Sequence, residues 1–388
     1  MKLAALDLDI DAFPEALDQL DGYDGAVVLL RVAGVPAGQA IVRAPLPAGR
    51  ELRAALLEHA DSAFWEAFLR HGMGLAPEAP PPHPLPDATV AICTRDRTDD
   101  LECCLNGLMA MSYQAPILVI DNAPSTEATR HLVERFPGVR YVREPKPGLD
   151  NARNTALREA TGEIVAFIDD DAAPDRAWLA TLLRNFQDPM VLAATGLTMA
   201  IELESDAQIA FQRVGGFTRG FKRMVYHRGN CDPFLAWHAG AGVNMALRRS
   251  AVALIGPFDP ALDAGTRALA GGDTDLFRRV LGAGYAIAYD PQALNWHRHR
   301  RTMEELEQQI FGYECASFAV LTKALLYERN PRVLVMIAKW LRNQIPQLRR
   351  SRHYPDQRLT FNVAAAQARG AMAGPRRYFE ARRRARHG

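Results

Sequence analysis

Cysteine is scarce in this chain: five residues among 388. Cys103 and Cys104 are adjacent, and Cys93 lies inside an apolar strand pattern. No C-x-x-C or similar ligand spacing occurs, so neither a disulfide framework nor a cysteine-based metal site is encoded. All five read as reduced thiols of a cytosolic protein. Long apolar runs are missing too. None reaches the roughly 18 residues that span a bilayer. The first residues carry Asp7, Asp9, Asp11 and nearby Glu15, the opposite of the basic n-region of a signal peptide. There is no Gly-x-x-x-x-Gly-Lys-Ser/Thr loop, which argues against a P-loop NTPase. No Gly-x-Gly-x-x-Gly follows a strand, which argues against a dinucleotide oxidoreductase. Acidic residues are rare at one end only. Residues 321–388 hold 16 Lys or Arg against 3 Asp or Glu, a balance of +13. Net charge is +1, so the rest of the chain carries −12. Such asymmetry points to a partner with negative charge near the C-terminus. An anionic membrane surface fits it; no nucleic-acid partner is expected.

What is present divides the chain into four parts. Residues 1–75 read as a small α+β module. Its strands are Ala26 to Val32 and Gln39 to Val42, with a turn over Gly34 to Gly38 and an amphipathic helix over Leu52 to Leu69. Residues 76–87 form a linker, with six prolines between Ala76 and Pro86. From Ala88 to about residue 302, strands and helices alternate. Strands are expected at Thr89–Cys93, Ile117–Ile120, Arg140–Arg143, Glu163–Ile168, Val191–Gly196, Met245–Arg248 and Ala286–Tyr289. Helices are expected at Asp100–Met109, Glu127–Phe136, Asn151–Ala160 and Trp178–Phe186. This pattern implies an α/β fold, a mostly parallel sheet with flanking helices. Residues 303–388 read as a helical, basic C-terminal region.

The chemistry is densest at Phe167-Ile-Asp-Asp-Asp-Ala-Ala-Pro-Asp175. An apolar strand ends there in Asp169, Asp170 and Asp171. Carboxylates at the carboxyl end of a strand in an open α/β sheet stand where such sheets bind ligands. Three adjacent carboxylates repel unless a cation or hydrogen bonds neutralise them. Oxygen ligands on a short loop suit Mg²⁺ or Mn²⁺, which often arrive with phosphate. The alternative is a cap, from Asp171 or Asp175, for the helix carrying Trp178. Polar residues also follow two other strands: Thr94, Arg95 and Arg97 after the first, Asp121 and Asn122 after the second. Asp121 is placed to accept a hydrogen bond from the imide N–H of uracil or thymine, or to form an Asx-turn. In Pro147-Gly-Leu-Asp-Asn-Ala-Arg-Asn154, Gly148 permits a tight approach, and Arg153 on a helix N-terminal turn can face a phosphate.

Taken in order, strand plus Thr-Arg-x-Arg, Val-Ile-Asp-Asn, Gly-Leu-x-x-Ala-Arg-Asn and Phe-Ile-Asp-Asp-Asp-x-x-Pro-Asp resemble the family-2 glycosyltransferases. The resemblance covers roughly Ala88 to His299 and implies the GT-A fold, a nucleotide-binding sheet with an acceptor half appended. It implies that Thr94 and Asp121 contact the nucleotide base. It also implies that Asp169 and Asp171 form the D-x-D pair, the first towards the nucleoside and the second on the metal. It continues through Gly240-Ala-Gly-Val-Asn244-Met-Ala-Leu-Arg248, which brings Asn244 into the donor site. The segment Gly271-Gly-Asp-Thr-Asp-Leu-Phe-Arg278 follows, where the family usually writes Glu-Asp. Here Gly272 stands in the Glu position. By similarity Asp273 is the general base for the acceptor hydroxyl, and Asp275 is the alternative, with a helix cap as its other role. In similar enzymes a His near Trp296-His-Arg-His299 completes the metal shell. One of the two is expected to reach the metal: His297, with His299 the alternate. The Gln-x-x-Arg-Trp motif of processive members is absent, which favours one sugar per event. The resemblance therefore implies an inverting, Mn²⁺- or Mg²⁺-dependent transfer from a nucleotide-diphosphate sugar, UDP-sugar favoured, to a glycan or lipid-linked acceptor. The rivals are a nucleotidyltransferase and a non-catalytic carbohydrate-binding scaffold.

Overall fold

The computed structural model describes residues 1–17, 20–45, 48–75, 84–213, 215–353 and 361–387. The expected linker falls largely outside these.

The N-terminal part is a three-stranded sheet of β1 (Ala4–Asp9), β2 (Gly25–Val32) and β3 (Val35–Arg43), covered by α1 (Gly49–Leu57) and α2 (Ser62–Gly72). The central strand β2 is buried on both faces. Ala26, Val28, Leu30 and Val32 pack with Leu52, Leu56 and Phe64 of the two helices. Its alternate residues Val27 and Leu29 point the other way, into clusters with Leu197, Met199, Leu203 and Leu294 of the large domain. A strand buried on both faces reads as a continuous apolar run, and Ala-Val-Val-Leu-Leu is one. Two expectations need correction here. The turn expected over Gly34 to Gly38 is confined to Ala33 and Gly34, with Pro36 already in β3. Proline is tolerated there because β3 is an edge strand and the pairing shifts register between Leu30 and Arg31. The single helix expected over Leu52 to Leu69 is two, because Asp61 takes extended backbone and its Oδ1 accepts from Ala63 and Phe64 N–H groups.

The large domain begins with β4 (Ala88–Thr94), α3 (Thr98–Met109), β5 (Ile117–Asn122), α4 (Ala128–Val133), β6 (Val139–Glu144), α5 (Leu149–Glu159) and β7 (Ile164–Asp169). There follow β8 (Ala172–Pro174), α6 (Trp178–Arg184), β9 (Val191–Ala200), α7 (Asp206–Arg213), β10 (Met224–Tyr226) and a 3₁₀ helix at Pro233–Ala239. The domain closes with β11 (Asn244–Arg248), α8 (Ala251–Ile255), α9 (Gly272–Gly282) and β12 (Ala286–His297). The sheet has nine strands in the order β10-β12-β9-β11-β7-β4-β5-β6, with β8 beside β12. Strands β4, β5, β6 and β7 are parallel, as are β9 and β12, while β11 runs antiparallel between β7 and β9. One face packs on α3 and α6 through Ile92, Leu105, Val119 and Trp178. The other packs on α5 and α9 through Ala91, Leu118, Ala156 and Phe277. The chain leaves β4 towards β5 and β6, then returns to place β7 on its opposite side. That reversal opens a crevice at the carboxyl ends of β4 and β7, where doubly wound sheets take their ligands. The last expected strand is extended: β12 continues past Tyr289 through an irregularity at Asp290 to Asn295 and ends at His297.

The C-terminal region comprises α10 (Met303–Leu326), α11 (Arg332–His353) and α12 (Phe361–His387). Helices α10 and α12 approach closely because α12 presents glycine. A Cβ on Gly370 would lie 2.4 Å from the Phe311 carbonyl oxygen, and one on Gly374 2.6 Å from that of Cys315.

Candidate active site

The crevice collects three donor atoms from two strand ends. Asp169 closes β7, Asp171 follows it, and His297 closes β12. Their ligand atoms all lie within 4.8 Å of one another, with His297 Nε2 3.0 Å from Asp171 Oδ1. β8 pairs with β12 in a register that sets Ala172 opposite His297, so the acidic loop and the imidazole are tied by backbone. Burial opposes ionisation of Asp171, but the hydrogen bond and charge of His297, with the Arg97 guanidinium, hold its carboxyl well below the usual range. Asp169 goes the other way: burial and the neighbouring Asp171 raise it to about 6. His297 Nδ1 is buried without a partner. Two carboxylates and an imidazole are the donor chemistry of a Mn²⁺ or Mg²⁺ site, so the residues fit such an ion.

Asp170 does not join this cluster. It is buried, accepting from Thr94 Oγ1 at 2.7 Å and from Arg97 Nη1 at 2.8 Å, and burial raises its carboxyl to about 7. Arg97 also grips Asp171 at 2.8 Å and Asp100 at 2.9 Å. Arg97, expected on the donor, thus fixes the acidic loop, and Thr94 gives its hydroxyl proton to the same loop. Arg95 is exposed, 3.7 Å from Asp96. Asp121 is fully buried at the end of β5. Its Oδ2 accepts from Tyr141 Oη at 2.9 Å, and its Oδ1 has no partner. Asn122 holds the next loop by donating to the Lys146 carbonyl and accepting from the Gly148 N–H. Gly148 has φ +124°, a backbone that favours glycine.

Four expectations are corrected. Arg153 faces no open crevice: it is 4% exposed and ion-paired with Asp263 and Asp150. Asn244 has no group left for a donor. Its Oδ1 accepts from Trp178 Nε1, and its Nδ2 serves the Leu197 and Ala293 carbonyls. Asp275 is fully buried between Arg278, Arg279 and Lys323, whose charges overcome burial and keep its carboxyl well below the usual range. It anchors α9 to α10 and has no access to a bound sugar. His299 lies outside the three-ligand cluster, 4% exposed, its ring 4.9 Å from that of Phe211. Residues two apart on an extended segment share a face, and the two rings sit 5.9 Å apart, but only His297 brings its Nε2 to Asp171.

Asp273 occupies the first turn of α9, half-buried. Its Oδ2 accepts from the Gly242 N–H at 2.7 Å and its Oδ1 from the Thr274 N–H at 2.7 Å. Oδ1 also accepts from the Thr274 hydroxyl at 3.3 Å, while Oδ2 keeps a further lone pair. The glycine before it has a steric reason. A Cβ on Gly272 would lie 2.2 Å from both carboxylate oxygens of Asp150. Asp150, fully buried, thus fills from α5 the space in which a residue-272 side chain would start; burial and the Asp263 charge push its carboxyl well up. Asp150 and Asp263 escaped the sequence reading, in which Asp150 was only part of a helix start.

The α/β sheet thus carries, at its switch point, a crevice with a buried, unpartnered acceptor, a three-ligand cluster and a separate half-buried carboxylate. Residues 89–255 match the model for glycosyl transferase family 2. Glycosyltransferase AglE of Haloferax volcanii is 24% identical over 238 residues, 58% of this chain and 71% of that protein. The pre-mycofactocin glycosyltransferase of Mycobacterium tuberculosis is 28% identical over 60% of this chain and 48% of its own length. The succinoglycan biosynthesis protein ExoM of Rhizobium meliloti is 30% identical over 53% and 64%. The chain thus spans from 48% to 71% of the length of these relatives. Among solved structures, the mannosyltransferase PcManGT of Pyrobaculum calidifontis, in complex with GDP-Man and Mn²⁺, aligns over 82% of this chain and 92% of its own with a TM-score of 0.49 and 20% identity. Residues 89–255 are thus the part of this chain that is similar to the family-2 glycosyltransferases.

Proposed function

We propose that this protein is an inverting, metal-dependent glycosyltransferase that moves one sugar from a nucleotide-diphosphate sugar to a hydroxyl of a glycan or lipid-linked acceptor, in surface polysaccharide synthesis. The observation that carries the reading is the convergence of Asp169, Asp171 and His297 at the switch point. Asp121 Oδ1, buried without a partner, is the acceptor for the imide N–H of a uracil base, which favours a UDP-sugar. Asp169, Asp171 and His297 would hold Mn²⁺ or Mg²⁺. Such an ion, when bound, supplies Lewis acidity for the charge that develops on the departing nucleoside diphosphate.

Asp273 takes the proton of the acceptor hydroxyl on a carboxylate oxygen. The hydroxyl oxygen then bonds to the anomeric carbon from the face opposite the diphosphate. The anomeric C–O bond breaks, and its electron pair leaves with the nucleoside diphosphate. General-base help of this kind contributes about 10²–10⁴ in rate. The basic C-terminal region we place against an anionic membrane surface, where a lipid-linked acceptor would be met; no described helix is long and apolar enough to cross a membrane.

The test is turnover of a panel of UDP-, GDP- and dTDP-sugars with and without Mn²⁺ or Mg²⁺. Metal-dependent release of nucleoside diphosphate supports the reading. Release of pyrophosphate would indicate a nucleotidyltransferase, and no turnover or binding of any donor would indicate a scaffold.

A further inference from the structure

Beside Asp273 lies a surface that the reaction as described does not use. The 3₁₀ helix Pro233–Ala239 starts at Asp232, whose side chain caps it. It runs into Gly240 and, two residues on, Gly242, whose N–H binds Asp273. Near its end Trp237 is 45% exposed, the most exposed tryptophan among the described residues. Its indole is not loose. It stacks on the His238 ring at 3.7 Å and 28°, and the Arg219 guanidinium lies 5.6 Å from its centroid.

Arg219 is the second feature. Its Nε donates to the Trp237 carbonyl at 3.1 Å and its Nη1 to the Thr218 carbonyl at 3.1 Å. Among the described residues no carboxylate pairs with it. Burial pushes its guanidinium below the ordinary range, and the charges of Asp273 and the phenols of Tyr313 and Tyr289 act on it. A partly buried guanidinium bound only to carbonyls is a charge held ready for an oxyanion. Two residues before it, Phe217 packs edge-on against His297 at 5.3 Å. A single short loop therefore links the metal cluster to the indole platform.

We propose that Trp237 and Arg219 form the acceptor subsite: the indole stacks on the ring of the accepting sugar, and the guanidinium pairs with an anionic group on it, a phosphate ester or a uronate carboxylate. This rests on the proposed function and adds the chemical class of the acceptor. An apolar sugar face stacks on an exposed indole as bases do on aromatic platforms, with little demand on sequence or linkage. The guanidinium supplies the discrimination, because an acceptor without the anion leaves a partly buried charge unpaired.

The full-length protein, saturated with UDP and Mg²⁺ so that the donor site is filled, is titrated with three probes in the gluco and galacto series: the neutral methyl glycoside, the methyl uronate and the sugar 1-phosphate. Saturation-transfer NMR reads binding. At least one anionic probe should bind about fivefold or more tighter than its neutral counterpart, and the tighter of the two anions identifies the source. R219Q should erase the difference, and W237A should weaken every probe about tenfold, with UDP affinity unchanged in both variants. Equal binding of anionic and neutral probes, binding of none, discrimination that survives R219Q, or full binding in W237A would overturn the inference while intact UDP binding leaves the proposed function standing. Failure of UDP, GDP and dTDP alike to bind the wild-type protein with Mg²⁺ or Mn²⁺ would overturn both.

Discussion

Asp273 and Asp275 sit on the same first turn of α9, yet their surroundings separate them. Asp273 is half-buried and bound only by backbone N–H groups and the Thr274 hydroxyl, so it keeps room for a substrate proton. Asp275 is enclosed by three cations. D273N keeps the shape and removes the basicity, so it should bind UDP normally while transfer falls by about 10²–10⁴. Steady-state rates beside calorimetric UDP affinity check this, and near-normal kcat would move the base elsewhere. D275N leaves Arg278, Arg279 and Lys323 with an uncompensated buried charge, a loss of about 3–5 kcal/mol. Urea melts should show it as a lower midpoint. An unchanged midpoint together with lost transfer would return Asp275 to the chemistry. The acidic run after β7 was legible because an apolar strand ended abruptly in carboxylates. The division of labour within it was not. Which of Asp169, Asp170 and Asp171 turns inward depends on Thr94 and Arg97, brought alongside by the pairing of β4 with β7.

Elements were legible where period and punctuation agreed, as in the alternation from β4 to β7. They were misread where tertiary pairing prevailed. β12 runs on to His297 because β8 and β9 supply partners for its last residues, a fact no local pattern holds. Arg153 was aimed at a phosphate because only its place on a helix N-terminal turn was visible; the buried Asp150 and Asp263 that claim it come from its own helix and a distant loop. The helical layer carries a pH signature of its own. Glu314 on α10 is raised from 4.5 to about 7 by burial, partly opposed by a hydrogen bond from Trp340 on α11. The folded state therefore holds this proton more tightly than the unfolded chain. Its stabilisation is full below about pH 4.5 and is lost as pH rises through about 7. E314Q keeps an acceptor for Trp340 and removes the titration. Its Tm relative to wild type should climb between pH 5 and 8 and level off above; a constant difference across that range would contradict the placement of Glu314.

At the scale of the whole molecule, charge and shape coincide on α11. Leu334, Leu341 and Ile345 are exposed along one line of the helix, with Arg332, Lys339 and Arg342 beside it. An exposed apolar ridge with basic neighbours is the pattern of a helix lying in a membrane interface. Each basic residue contributes about 1 kcal/mol near an anionic surface. The protein should co-sediment with anionic vesicles at low salt and release at high salt, and L341S/I345S should weaken the binding without lowering Tm, since both side chains already face outward. Absence of binding at low salt would contradict the membrane contact. The arginines of α12 are left in place in this test, because Tyr378 of that helix is fully buried with Ala261, Leu262 and Val320. The N-terminal module bears on the site as well. Arg31 joins Asp7 on its own sheet to Asp175 after the acidic loop, 2.7 Å away.

The central claim is that Asp169, Asp171 and His297 hold a divalent ion that in turn holds the donor. Calorimetric titration of UDP into the wild-type protein and D171A, each with Mn²⁺ and with chelator, tests it most directly. The account predicts Mn²⁺-dependent binding in the wild type, lost in D171A and lost with chelator. UDP affinity in D171A equal to that of the wild type, or binding indifferent to Mn²⁺ in both, would contradict it.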